Sequence, residues 1–207
     1  GLASSWLKPQ PFAHCVRPAR SLWASRAFRA APPVVAPAEL TMAKFGDPLD
    51  ELVDSSNLEC LNQDEANPMA NAFTEGDTYL ASDPSVDHQL LLKVAFRQPV
   101  KLSAIRVLGG QDPETAPRSI KIFQANPNMG FDEAEGDVAV QEVELEEEQV
   151  MEGAPVPLRF VKFQAVQTLQ LFIHENAGAQ QTQVRRIQFF GEPAQKMDMK
   201  DWKPVKC

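Results

Sequence analysis

Pro155-Val-Pro-Leu-Arg-Phe-Val-Lys-Phe-Gln-Ala-Val-Gln-Thr-Leu-Gln-Leu-Phe-Ile-His-Glu-Asn176 decides the fold class. In its second half Leu169, Leu171 and Ile173 alternate with Gln170, Phe172 and His174. A period of two marks a β-strand with one face in a core, whereas a helix needs apolar residues at intervals of three and four. In its first half Leu158, Phe160 and Lys162 fall on one face and Arg159, Val161 and Phe163 on the other. That half is therefore read as a second strand, apolar on both sides, joined to the first by a tight corner.

Working outward, Gln89–Phe96 alternates, with Leu90, Leu92, Val94 and Phe96 on one face. Val100–Leu108 follows as a separate strand, with Gln98-Pro99 as the turn between them. Further strands are expected at Thr78–Leu80, Arg118–Ala125 and Val138–Leu145, the last with Val138, Val140 and Leu145 as burial candidates. Gln183–Phe190 is the final strand; its pattern slips between Val184 and Ile187, which suggests a bulge. Asn57–Gln63 is a short extended piece. Asp47 as N-cap and Pro48 at the first helical position predict a short helix that buries Leu49, Leu52 and Val53. One helical turn is expected in Phe131–Gly136. Seven or eight strands with turn signals between them predict an all-β sandwich, and their wide spacing favours Greek-key or jelly-roll connections.

The chain has 207 residues and a net charge of −8. The acid is unevenly spread. Residues 1–41 carry Lys8, Arg17, Arg20, Arg26 and Arg29 against Glu39 alone. This leader has the composition of an organellar transit peptide. A disordered extension, or sequence upstream of a start at Met42, competes with that reading. Residues 1–41 are excluded from the expected domain at 42–195, and 196–207 read as a tail in which packing of Met199 and Trp202 back on the domain is preferred to docking on a partner. An acidic body argues against nucleic acid and anionic membrane as partners, since both select Lys and Arg. No apolar run approaches the roughly 20 residues that cross a bilayer.

Candidate chemistry is sparse. Cys15, Cys60 and Cys207 form no Cys-x-x-Cys pair, so neither a dithiol redox site nor a zinc ribbon is supported. Cys60, between Leu58 and Leu61, is read as a core residue rather than a redox sensor. Glu75, Asp83, Asp87 and His88 have oxygen and nitrogen ligands for a hard cation, but their spacing fits no calcium loop, and turn formation at Ser82-Asp-Pro84 is preferred. His174 beside Glu175 has no accompanying nucleophile motif, and His14 and His88 share no metal spacing with a cysteine. No catalytic, cofactor or metal residue is assigned. Glu142, Glu144, Glu146, Glu147 and Glu148 form an acidic edge, solvated or steering a basic partner. Arg185-Arg186 is either a partner-facing spot or an edge-strand guard.

A run of segments in fixed order resembles the PITH domain, a proteasome-interacting module at the C-terminus of thioredoxin-like proteins and in stand-alone small proteins. The segments are Glu59-Cys-Leu-Asn62, Leu80-Ala-Ser-Asp83, Asp87-His-Gln-Leu-Leu91, Val94-Ala-Phe96 and Gln98-Pro-Val-Lys-Leu102. They continue with Ile120-Lys-Ile-Phe123, Phe131-Asp-Glu-Ala134, Pro157-Leu-Arg-Phe-Val-Lys-Phe-Gln164, Leu171-Phe-Ile173 and Phe190-Gly-Glu-Pro193. The resemblance covers about residues 47–200. It implies a jelly-roll sandwich of galactose-binding-like outline and a non-enzymatic module that associates with the 26S proteasome regulatory particle. Cytoplasmic and nuclear location is expected with it, or an organelle if the leader is a transit peptide. Disulfide reductase activity is not carried over, and a monomer of the stand-alone kind is expected. The candidate partner loops are Asp64–Gly76, Gly109–Pro117 and Asn176–Gln181, rich in polar and turn residues. A carbohydrate- or small-ligand-binding jelly roll is the alternative. It would want exposed aromatics, and Trp6, Trp23 and Trp202 all lie outside the expected loops.

Overall fold

The 20-residue strand Leu90–Gly109 ties the molecule together. A computed structural model of the protein describes residues 44–124 and 128–194. The expectations for the leader, its Trp6, His14, Cys15 and Trp23, and for the tail with Met199, Trp202 and Cys207 lie outside the described residues.

The elements in chain order are β1 (Asp47–Pro48), β2 (Glu59–Leu61), β3 (Leu80–Ala81), β4 (Leu90–Gly109), β5 (Pro117–Gln124), α1 (Phe131–Gly136), β6 (Gln141–Glu144), α2 (Glu147–Glu152), β7 (Val156–Pro157), β8 (Val166–Asn176) and β9 (Gln183–Pro193). All pairings are antiparallel, in the order β1-β9-β4-β8-β5-β6, with β2 and β7 also on β4 and β3 on β9. The first half of β4 pairs with β8 from Leu90↔Ile173 to Ala95↔Thr168, and its second half pairs with β9 from Val100↔Pro193 to Gly109↔Val184. The expected turn at Gln98-Pro99 is thus corrected: the strand runs through it. Pro99 lacks an N–H, so it sits where the ladder to β8 breaks register, between Ala95 and Val100. At that bend β4 passes from one layer to the other, the way sandwich strands make corners.

Between the layers lies the main core. Leu169, Leu171 and Ile173 of β8, with Leu90, Leu92, Val94 and Phe96 of β4, face Val184, Ile187 and Phe189 of β9. The Phe96 and Phe189 rings meet edge to face at 5.4 Å, joining the two halves across the fold. The outer face of β8 is covered too. Phe172, Leu91, Phe123, Met129 and Ala134 form a second, smaller cluster under α1, with Phe131 edge-on to Phe172 at 6.0 Å. The β8 alternation therefore stands as expected, and its off-face residues bury against α1.

Several local expectations are corrected. The helix expected from Asp47 is a strand pairing Asp47↔Gly191 and Pro48↔Phe190, followed by one 3₁₀ turn at Asp50–Leu52. Leu49 and Val53 are buried all the same, because the edge of the core needs them whichever backbone presents them. Val138 is 95% exposed, since β6 begins only at Gln141; Val143 and Leu145 are the buried residues of that stretch. The glutamate run ends in α2, not in a strand end. Acidic residues stabilise its first turn, and Gly153 in the left-handed conformation, φ 68°, terminates it. The expected slip in β9 is real: Leu108 pairs with Arg186 and Gly109 with Val184, leaving Arg185 as the extra residue of a bulge.

Candidate partner-binding surface

The sharpest correction falls on Leu158–Phe163. Only Val156–Pro157 is strand, and Phe160–Lys162 is a 3₁₀ turn. Lys162 N donates to Arg159 O at 2.7 Å and Phe163 N to Phe160 O at 3.1 Å, closing the turn. Leu158 and Phe163 are buried and bracket it, while Phe160 is 44% and Val161 87% exposed. The backbone pins these anchors to β4: Leu158 N donates to Ser103 O and Leu102 N to Phe163 O. Side-chain amides brace the rest. Arg159 N donates to Gln141 Oε1, Gln124 Nε2 to Lys162 O, and Gln164 Nε2 to Phe160 O. The result is a rigid tip that holds an aromatic and a β-branched side chain in water between two cations, Arg159 and Lys162. Both cations are exposed.

The tip has an apolar neighbour. Val138, Gln141 and Arg159 line one cleft of about 310 Å³, so exposed Val138 lies on the same side of the molecule. Few ordered contacts force large apolar side chains outward, whereas interfaces are built around such anchors with a polar rim. Lys121, Asp137 and Glu142 line the same cleft, so the part of this surface suited to an apolar pocket with acidic groups on its rim is the tip itself, with Arg159 and Lys162 on either side of Phe160 and Val161.

The expected loops behave differently. Asp64–Gly76 holds a 3₁₀ segment at Met69–Phe73 whose Met69 and Ala72 are buried, so it is partly core. Gly109–Pro117 and Asn176–Gln181 lie against each other: Ala177 N donates to Ala116 O and Ala179 N to Glu114 O. Asn176 closes its own loop by donating to Ala179 O and Gln181 O. Pro117 pairs with Asn176 and Gln124 with Leu169, so these loops lie at the end of β5 and β8 away from the Phe160 tip.

The remaining candidates are structural in their contacts. Asp83 accepts from Ser85 Oγ and Ser85 N, which hold its carboxyl below the ordinary range. Asp87 accepts from Asn62 Nδ2 at 2.7 Å. Asn62, at φ 66°, also reaches Gln89 O, and so ties two of the family segments together. His88 Nε2 meets His174 O at 3.1 Å, and His174 stands 4.0 Å from Glu175. Glu75 faces Arg186, not Asp83 or Asp87. Among the described residues no three His, Cys, Asp or Glu side chains are placed to hold a metal ion, and no helix is long and apolar enough to cross a membrane. Cys60 packs on the main core, and burial pushes its thiol up to about 12. Arg185-Arg186 lies on the stretch of β9 between its short pairings with β3, at Gln183–Val184, and with β1, at Phe190–Gly191.

The sequence missed the tip because Phe and Val at alternating positions also fit a strand. Pro155 and Pro157, which stop a central ladder, were the available signal.

Known proteins share this architecture. A carbohydrate-binding domain of a family 31 glycoside hydrolase from Clostridium perfringens, CBM32-3, superposes with a TM-score of 0.51 at 18% identity, covering 69% of this chain and 96% of that one. A second, solved with GalNAc-β-1,3-galactose, gives 0.53 at 8% identity over 70% and 100%. These likenesses establish the galactose-binding-like jelly roll. In sequence, the chain is 35% identical over 150 residues to thioredoxin-like protein 1 of Schizosaccharomyces pombe, covering 70% of the chain and 51% of that protein. It is 32% identical over 146 residues to the PITH domain-containing protein GA19395 of Drosophila pseudoobscura pseudoobscura, covering 68% and 67%. The chain thus spans about half the length of the first relative and about two thirds of the second. The sequence pattern of the PITH domain matches residues 41–206, which takes in every described strand, the buried anchors Leu158 and Phe163 and the tip they carry; the chain belongs to the PITH domain family.

Proposed function

We propose that the chain is a non-enzymatic protein-binding module that associates with the 26S proteasome regulatory particle and docks through the Arg159–Lys162 tip. The observation behind this reading is the exposure of Phe160 and Val161 on a turn whose backbone is hydrogen-bonded on both sides. A pre-ordered loop loses little entropy on binding, so its apolar anchors contribute most of their burial to affinity. Family membership supports the choice of partner. Cytoplasmic and nuclear location goes with this reading.

The test is binding of the full chain to purified 26S particles, measured with the wild type and with F160A/V161S. The wild type is expected to bind saturably. The double variant is expected to lose at least about tenfold in affinity, the size of a hot-spot loss, while its melting temperature stays unchanged. Equal binding by both proteins removes the tip from the reading, and no binding by either removes the partner. Saturable capture of the chain on a glycan array would favour the carbohydrate alternative instead.

A further inference from the structure

A second basic site lies on the outer face of the layer formed by β9 and the second half of β4. Arg106, Leu108 and Gln188 sit there beside Arg185 and Arg186, lining a cleft of about 340 Å³ with Glu75, Gly76 and Asp77 at its mouth. In a regular strand, consecutive residues point to opposite faces, so Arg185 and Arg186 would diverge. The bulge at Arg185 re-aims one of them, and both line the same cleft. Arg106 enters from the neighbouring strand, close under the C-terminal turn of α2. A Cβ on Gly153 would stand 2.6 Å from its Nε.

The three guanidiniums are not equally satisfied. Arg186 faces Asp50 at 3.6 Å and Glu75 at 3.7 Å. Arg106 donates to the neutral Gln188 Oε1 at 3.1 Å, and its buried Nε–H meets no acceptor among the described residues. Neither Arg106 nor Arg185 has a carboxylate within ion-pair distance among those residues. Burial, then Arg186 and Arg185, lower the Arg106 pKa, and Asp50 opposes them. Among the described residues Arg106 and Arg185 line one cleft without a carboxylate partner, which suits an incoming anion; the buried Arg106 Nε–H lies against Gly153 and reports on the cleft without lining it. Asp50 takes its hydrogen bond from Gln188 Nε2 at 2.9 Å and leaves Arg186 only a single 3.6 Å contact, so one carboxylate does not saturate the cluster. A phosphoryl dianion has charge for two guanidiniums and oxygens enough for all three donors.

We propose that this cleft binds a phosphoryl oxyanion through Arg106, Arg185 and Arg186. The site is independent of the Phe160 tip and of any proteasome partner. Glu75, whose side chain is 92% exposed, competes with the ligand for Arg186 and tunes the affinity downward.

The test follows the Arg106 Nε–Hε resonance of the full chain by NMR, assigned with R106K, at constant ionic strength. One arm titrates inorganic phosphate, which represents the free ion. The other titrates a capped Ala-phosphoserine-Ala tripeptide, which represents a modified side chain, against the same tripeptide carrying Glu. A saturable shift with either phosphoryl probe supports the proposal and names the source. R185Q is expected to weaken it at least about tenfold, as loss of one charge-assisted contact does. E75Q is expected to tighten it, a direction that damage to the fold cannot mimic. No saturable shift with either phosphoryl probe, or equal affinity for the Glu tripeptide, or no change in R185Q, overturns it.

Discussion

Phe160 and Phe163 stand three residues apart in one family segment, yet one is 44% exposed and the other fully buried. Removing each side chain therefore has different consequences. F163A leaves a cavity beside β4 and is expected to cost about 3–5 kcal/mol of stability, whereas F160A is expected to stay within about 0.5 kcal/mol. Urea melts of the two variants check this. Sequence periodicity could not tell them apart, because a 3₁₀ turn of three residues is too short to leave a period. Leu169, Leu171, Phe172 and Ile173 were legible because an 11-residue strand repeats its alternation long enough to be seen. A pH effect also belongs at this scale. The Asp83 carboxyl is held below its ordinary range first by the Ser85 hydroxyl and then by Ser85 N–H. A depressed carboxyl stabilises the fold above its unfolded pKa, near 3.8, and this stabilisation is lost as pH falls through the lower folded value. D83N is therefore expected to destabilise the protein at neutral pH and to converge with the wild type in more acidic solution. Thermal melts between pH 7 and pH 2.5 check the convergence.

At the scale of elements, β4 carries the largest gap between reading and structure. Pro99 reads locally as a stop, and only the partners on either side, β8 before it and β9 after it, keep the strand going. Such long-range pairing leaves no local mark. The crossing also constrains β9. A Cβ on Gly191 would fall 1.9 Å from Lys101 O, so the two backbones pass closer there than any other residue permits. Read from sequence, Gly191 closes the last strand; in the fold β9 continues through it to Pro193. G191A must push the strands apart at the bend, and is expected to destabilise by more than about 3 kcal/mol, at the severe end for single substitutions. Chemical denaturation of the variant would show a lowered midpoint. A variant as stable as the wild type would mean that the strands do not approach so closely. The acidic run into α2 was missed for another reason. Six residues supply less than two turns of period, so the cap at Gly153 was the one available signal.

For the molecule as a whole, the sandwich was legible and its working surface was not. Strand count and alternation report which residues a sheet can bury, and here they agree with the two-layer core. They are silent on which connections stay in water, and the Leu-Arg-Phe-Val-Lys-Phe-Gln segment that marks the family most clearly turned out to be one of these. An acidic body with one apolar, cation-flanked tip is a poor match for an anionic surface and a good one for a partner with an acidic rim. Lys162 is the built-in reporter, an amine inside the tip between Val161 and buried Phe163. Amine-reactive cross-linking of the full chain to purified 26S particles, mapped by mass spectrometry, therefore tests the central claim most directly. The account predicts cross-links from Lys162 to regulatory-particle subunits that disappear in F160A/V161S; cross-links that spare Lys162, or persist unchanged in that variant, would contradict it.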